Sequence, residues 1–243
     1  MRFPAPLVAG RLRARYKRFF ADVEIGRGEA RRIVTAHCAN PGSMRTCAEI
    51  GGRVWLLPVD DPKRKLAWTW ELAEVGGRGG ALVAVNTARA NQLVSEALGA
   101  RVIAEVAAEL DAGEVRREVA IGDSRIDFLI TSADSSARTW IEVKCATMDG
   151  GPATAAFPDS VTTRGARHLA ELTARRRAGD RAILLFCVAR SGCTRLRPAD
   201  EIDPVYGAAL RDAAARGVEV LGYRADIDSR GLALVAPVAI DLG

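Results

Sequence analysis

Residues 10–25, GRLRARYKRFFADVEI, alternate apolar and polar positions with a period of two, the mark of a strand with one buried face. Leu12, Ala14 and Tyr16 fall on the face assigned to the core, and Arg11, Arg13, Arg15 and Lys17 on the other. RRIVTAHC, GRVWLLPV and LAWTWELAEV read as further strands, with turns at 40–43 (NPGS) and 60–63 (DDPK). Strands at this spacing predict a small barrel, and a five-stranded barrel of the OB type fits the length. The pattern changes near Val85. ARANQLVSEAL has helical periodicity, with Asn86 or Thr87 as N-cap and Gly99 as its stop, and ARVIAEVAAEL is a second helical run. Strands are predicted over 114–121, 125–130 and 139–145. Thr162 or Thr163 caps a helix that ends at Gly179, and RAILLFCVA reads as a strand buried on both faces. Pro204 opens a helix that Gly217 closes, and VEVLGY is the last clear strand. The chain is therefore read as α/β (α+β overall): an OB-fold-like small β-barrel over 1–85, then an α/β domain with a mixed sheet over 86–243.

Composition narrows the class. At 49% hydrophobic and 27% charged, the 243 residues suit a globular fold. No apolar run approaches the roughly 18 residues that span a membrane, and the first residues lack a signal-peptide core, so a cytoplasmic location without membrane contact is expected. Five irregularly spaced cysteines and two histidines fit a reducing compartment better than a disulfide framework or a zinc site. The charge is uneven. Residues 1–80 hold 15 Lys+Arg against 8 Asp+Glu, a net of +7; residues 81–243 hold 20 against 22, a net of −2. An excess confined to one half predicts a polyanionic partner there. Arg11, Arg13, Arg15 and Lys17, about 6.6 Å apart by strand geometry, are the expected phosphate contacts, extended by Arg18 and by Lys63, Arg64 and Lys65. Tyr16, Phe19, Trp68 and Trp70 are the aromatics that a base would stack on, although the alternation assigns Tyr16 to the core.

The candidate chemistry lies in RIDFLITSADSSARTWIEVKC, 125–145, read as two strands joined by a polar turn. Both strands are apolar except for Asp127 on the first and Glu142 and Lys144 on the second. Adjacent carboxylates repel unless one is protonated or a cation lies between them, and Mg²⁺ takes carboxylate oxygens while keeping waters. Asp127 and Glu142 are thus candidate metal ligands, with the Val143 carbonyl beside them. Lys144 is placed to stabilise charge on a phosphate or water. The bland alternative is a surface ion pair of little energetic weight. An acidic residue, a spacer and acidic-x-Lys on a hairpin that follows a helix resemble the PD-(D/E)xK nucleases, with Ile126 where that motif has Pro. Glu96 and Glu118 are the two candidates for a further carboxylate. Arg164, at a helix start that favours anions, is a candidate backbone contact. His168, one turn into this helix, is read as a partly buried amphipathic residue rather than as part of the site.

Eight collinear segments carry a closer resemblance: RYKRFFADV, HCANPGSM, KRKLAWTWEL, NTARANQLVSEAL, SRIDFLI, IEVKCATM, FPDSVTTRGARHLAEL and RRAILLFCVAR. Together they resemble the sugar fermentation stimulation protein (SfsA) family over essentially the whole chain. The resemblance implies an OB-fold domain followed by a restriction-endonuclease-like domain. It also implies DNA binding with little sequence preference, and an influence on sugar-utilisation genes such as those for maltose. Nuclease activity at Asp127, Glu142 and Lys144 is the alternative function. A transcription regulator as protein partner is a competing expectation, and a homodimer is a further one, since nuclease-like domains that cut two strands often pair.

Overall fold

The computed structural model describes residues 1–122, 124–133 and 136–243. Six strands come first: β1 (Val8–Tyr16), β2 (Phe20–Ile25), β3 (Arg32–His37), β4 (Arg53–Pro58), β5 (Trp68–Val75) and β6 (Ala81–Ala84). They form one sheet in the order β3-β2-β1-β4-β5-β6, and His37 of β3 also pairs with Thr69 of β5. That pairing closes β1 to β5 into a five-stranded barrel. The alternating apolar positions fill it, among them Leu12, Val23, Ala36, Leu56 and Trp70, all fully buried.

The long alternation at 10–25 is a hairpin rather than one strand. The chain turns at Lys17 and Arg18, which adopt left-handed φ of 48° and 62°, and returns with Tyr16 opposite Phe20. The three-residue connection is short enough that the period of two runs through it unbroken.

Two helices follow the barrel, α1 (Arg89–Gly99) and the short α2 (Ala107–Ala112). Then come β7 (Glu114–Ile121), β8 (Ser124–Thr131), β9 (Arg138–Ala146), β10 (Met148–Asp149), β11 (Thr154–Phe157), α3 (Thr163–Arg177), β12 (Arg181–Val188), β13 (Arg195–Pro198), α4 (Pro204–Ala215), β14 (Glu219–Asp228), β15 (Gly231–Pro237) and β16 (Ala239–Ile240). The main sheet runs β15-β14-β12-β9-β8-β7, with β9, β12 and β14 mutually parallel and the other neighbours antiparallel. The apolar run of β12 lies at its centre. Ile183, Leu185 and Cys187 pack toward α1 and α2, while Leu184, Phe186 and Val188 pack toward α3 and α4. The remaining short strands form a second sheet, β10-β11-β13-β16. The polar turn between β8 and β9 includes 134–135, which lie outside the described residues.

The barrel and the α/β half are joined by buried polar contacts. Arg89, the first residue of α1, reaches the fully buried Glu71 of β5 at 2.6 Å, and the Asn86 amide donates to both Glu71 oxygens. The turn at 40–43 is clamped from the other half: Ser43 Oγ donates to the Asp159 carbonyl at 2.5 Å, and the Met44 N–H donates to the Asp159 carboxylate at 2.9 Å. Among the described residues, no helix is long and apolar enough to cross a membrane.

Candidate active site

Strands β8 and β9 pair from Phe128 opposite Ile141 to Thr131 opposite Arg138, and no further. Beyond Phe128 they part. On the other side Glu118 of β7, which stands across from Asp127, leaves the ladder and adopts a φ of 52°. Asp127 therefore sits where its strand is unpaired on both sides. The alternation slips there too, since Ile126 and Leu129 both join the core under α3 and α4. The freed carboxylate takes the Val143 N–H of β9 at 2.7 Å and the Asn91 side-chain amide of α1 at 2.6 Å.

Glu142 follows the expected alternation and faces α3. It is 3% exposed. One carboxylate oxygen, Oε1, meets both the Lys144 ammonium, at 2.5 Å, and the Nδ1 of His168. The other, Oε2, is buried and among the described residues has no partner. Arg164 Nε donates to His168 Nε2 at 3.3 Å, which leaves Nδ1 as the ring's donor toward Glu142. A chain of contacts thus runs Arg164–His168–Glu142–Lys144. Helix α3 is started by Thr162, whose hydroxyl accepts from the Gly165 N–H at 3.0 Å, as expected of an N-cap.

Asp127, Glu142, Lys144 and Arg164 line one cleft of about 250 Å³, with Thr87, Ala88 and Asn91 on its α1 side. The two carboxyls titrate apart. Burial pushes Asp127 up, the neighbouring Glu142 charge adds to this, and its pKa reaches about 6. Burial alone would raise Glu142 as well. The His168 hydrogen bond and the Lys144 ammonium outweigh it and hold Glu142 below the usual carboxylate range. A larger hollow of about 430 Å³ lies beside Arg190, but its carboxylate, Asp149, is already bound to Arg190 at 2.7 Å.

The cleft suits a hard divalent cation in its donor types. It offers an unpartnered buried carboxylate oxygen on Glu142 beside the Asp127 carboxylate. Among the described residues, no group of three or more His, Cys, Asp and Glu is arranged for a metal. A cation in the cleft would have two carboxylates of the chain for ligands, Asp127 and Glu142.

The other expected site residues are placed differently. Glu96 binds the Met1 ammonium at 2.5 Å and Glu118 is exposed, so neither joins the cleft; Asn91 takes the place in α1 where a carboxylate was sought. The arginine row is not a free basic face. Arg13 pairs with Glu24 at 2.7 Å, and Arg11 donates to the Gly51 carbonyl at 2.9 Å. Arg15 spends its guanidinium on the carbonyls of Arg18, Asn40, Gly42 and Ser43. Lys17 lies in the hairpin turn, with Arg18, rather than on the strand. Lys63, Arg64 and Lys65 are exposed on the β4–β5 loop, with Arg64 donating to Thr69 at 3.1 Å. Tyr16 is not core: it is 39% exposed, and Phe19 is 45% exposed. Trp70 is fully buried, which leaves Trp68 half-buried at the barrel wall. His168 is fully buried rather than partly so, and it belongs to the site because it holds Glu142.

Barrel, mixed sheet and Asp–Glu–Lys cleft together define a two-part protein, an OB-type barrel followed by a nuclease-like α/β domain. Comparison with known proteins narrows this. Residues 14–85 match the SfsA N-terminal OB domain, and residues 88–231 match the sugar fermentation stimulation protein RE domain. A sugar fermentation stimulation protein homolog from Pseudomonas aeruginosa is 51% identical over 245 residues, covering 100% of both chains. One from Maricaulis maris is 48% identical, covering 100% of this chain and 99% of its own. The chain belongs to the sugar fermentation stimulation protein family. The structure of Pyrococcus furiosus SfsA in complex with Ca²⁺ superposes with a TM-score of 0.82 at 24% identity, covering 99% of this chain and 98% of that one.

Proposed function

We propose that this protein binds DNA with little sequence preference and hydrolyses phosphodiester bonds in the cleft, using a divalent cation held by Asp127 and Glu142. The observation that carries the reading is the buried, unpartnered Oε2 of Glu142 beside an Asp127 carboxyl that burial has raised to about 6. A pair of carboxyls in that state is costly without a cation between them. The Ca²⁺ in the Pyrococcus furiosus SfsA complex supports a hard cation, and the oxygen donors here accept Mg²⁺ by the same chemistry. When bound, the cation supplies Lewis acidity toward phosphate and water.

The chain's own residues do the rest. His168 and Lys144 both hold Glu142 by one oxygen and leave the other free for a cation. Asn91 and the Val143 N–H fix Asp127. Lys144 and Arg164 place positive charge where a phosphate would lie, Lys144 from the sheet and Arg164 from the first turn of α3. The basic excess of residues 1–80 supports DNA as the polyanion. An influence on sugar-utilisation genes rests on the family resemblance, and DNA binding is the means by which it would act.

Calorimetry with Mg²⁺ tests the cation. The wild type is expected to bind it, and Asp127→Ala and Glu142→Ala to lose that binding while retaining DNA affinity in an anisotropy titration. Wild-type Mg²⁺ affinity in the two variants would remove both residues from the site.

A further inference from the structure

Four consecutive residues at the β1–β2 hairpin tip, Tyr16, Lys17, Arg18 and Phe19, are all exposed. We infer that this tip grips an unpaired nucleobase and leads a single strand toward the cleft. The inference rests on the nucleic-acid binding proposed above and specifies its form.

The tip is aromatic where the strand pattern called for core. The Tyr16 ring stacks on Phe20 with centroids 5.6 Å apart and planes at 13°, and its hydroxyl meets the Asp22 carboxylate at 3.2 Å. The ring is thus fixed in place, covered by Phe20, and still 39% exposed. Phe19 is 45% exposed. Lys17 and Arg18 stand between them, and among the described residues neither side chain forms an ion pair or hydrogen bond. Two rings flanking two cations supply both contacts that a single strand uses, bases on the π-faces and phosphates on the charges. A docking site for a protein helix would present aliphatic side chains at helical spacing instead, without paired cations.

The tip is also held rigidly in a conformation it does not favour. Lys17 and Arg18 both occupy the left-handed region, where a plain turn would use Gly or Asn. Their strain persists because the surroundings fix it, a feature that gathers at functional sites. Arg15 donates to the Arg18 carbonyl at 3.1 Å, the Phe19 N–H donates to the Lys17 carbonyl at 2.7 Å, and the Cys38 N–H donates to the Phe19 carbonyl at 2.8 Å.

The same bracing connects the tip to the cleft. Arg15 also donates to the Asn40 carbonyl at 3.0 Å, and the adjacent Ala39 carbonyl accepts from both the N–H and the hydroxyl of Thr87, at 3.1 and 3.0 Å. Thr87 lines the cleft wall. Hairpin tip, 39–43 turn and cleft wall therefore form one hydrogen-bonded run.

The test is an anisotropy titration of the full chain with labelled oligothymidylate and with a blunt duplex, each over a range of salt. Phe19→Ala and Tyr16→Ala should weaken single-strand binding about five- to a hundred-fold, with little change on the duplex and no change in salt slope, because stacking releases no counterions. Phe19→Trp should restore the affinity. Lys17→Ala and Arg18→Ala should weaken both forms and flatten the slope. Wild-type binding to both forms, with single-strand affinity unchanged in both aromatic variants, would overturn the hairpin inference and leave the proposed function standing. Absence of binding to either form by the wild type would remove both.

Discussion

Asp127 shows how much one residue's surroundings decide. Its strand loses both neighbours at that position, so its carboxylate serves as acceptor for Val143 and Asn91 and is buried against Glu142. Its pKa of about 6 in the fold lies above the 3.8 of an open chain. A carboxyl whose folded value is raised binds more protons folded than unfolded between those values. Stability therefore falls as pH rises from about 4 through 6. Asp127→Asn should raise the urea midpoint of the metal-free protein at pH 8 and leave it unchanged at pH 3.5, the opposite of the usual acidic-residue effect. An equal midpoint shift at both pH values would contradict the assignment. His168 gives a second residue-scale prediction. His168→Ala removes one of the two partners of a buried Glu142 oxygen and should cost about 2–3 kcal/mol in denaturant unfolding. It should also weaken Mg²⁺ binding, since Glu142 is then held by Lys144 alone. His168 was legible as partly buried but not as part of the site, because helical periodicity reports which face turns inward and not what lies across the interface. For the same reason Asn91 escaped notice. Carboxylate chemistry drew attention to Glu96, five residues further along α1, which instead holds the chain's own N-terminus.

At the scale of elements, the long periodic segments were readable and the short ones were not. Helices α3 and α4, the strand β12 and the β8–β9 pair all stand within a residue or two of where their patterns place them. The sheet β10-β11-β13-β16 is built of strands of two to four residues, too short to establish a period, and β15 continues a hairpin from β14 that the reading stopped at Tyr223. Helix α3 carries the prediction at this scale. A Cβ on Gly165 would lie 2.8 Å from Thr162 Cγ2 and 2.9 Å from the Tyr206 ring of α4. Glycine there lets the first turn of α3 press against α4, and that turn carries Arg164 and leads into His168. Gly165→Ala should therefore cost about 1–3 kcal/mol of stability by overpacking. It should also impair the cleft, read as weaker Mg²⁺ binding; full retention of both would show that α3 has room to shift.

For the whole molecule, the basic excess of the first 80 residues is real in sequence but is spent unevenly in space. Arg13 is paired with Glu24, and Arg15 is bound to four carbonyls, so neither guanidinium stands free on the barrel surface. Lys17, Arg18, Lys63 and Lys65 stand exposed on loops. Alternation along a strand shows which side a residue faces and not whether an acidic neighbour or an orphan carbonyl waits there. Reversal of Lys63 and Lys65 to Glu should therefore flatten the salt dependence of DNA binding, with each lost phosphate contact lowering the slope by about 0.7–0.9. Reversal of Arg13 should leave the slope unchanged. A slope that responds to Arg13 and not to the loop lysines would return the phosphate path to the strand face.

The strand carboxylates are proposed to serve phosphodiester chemistry. The direct measurement is cleavage of labelled single-stranded, duplex and branched DNA by purified protein in Mg²⁺ or Mn²⁺, beside Glu142→Ala and Lys144→Ala. The wild type is expected to cut, with cutting abolished by chelation of the cation and lost in both variants, while their DNA binding persists. Tight binding by the wild type with no cleavage of any substrate, or cleavage that survives in both variants, would contradict it.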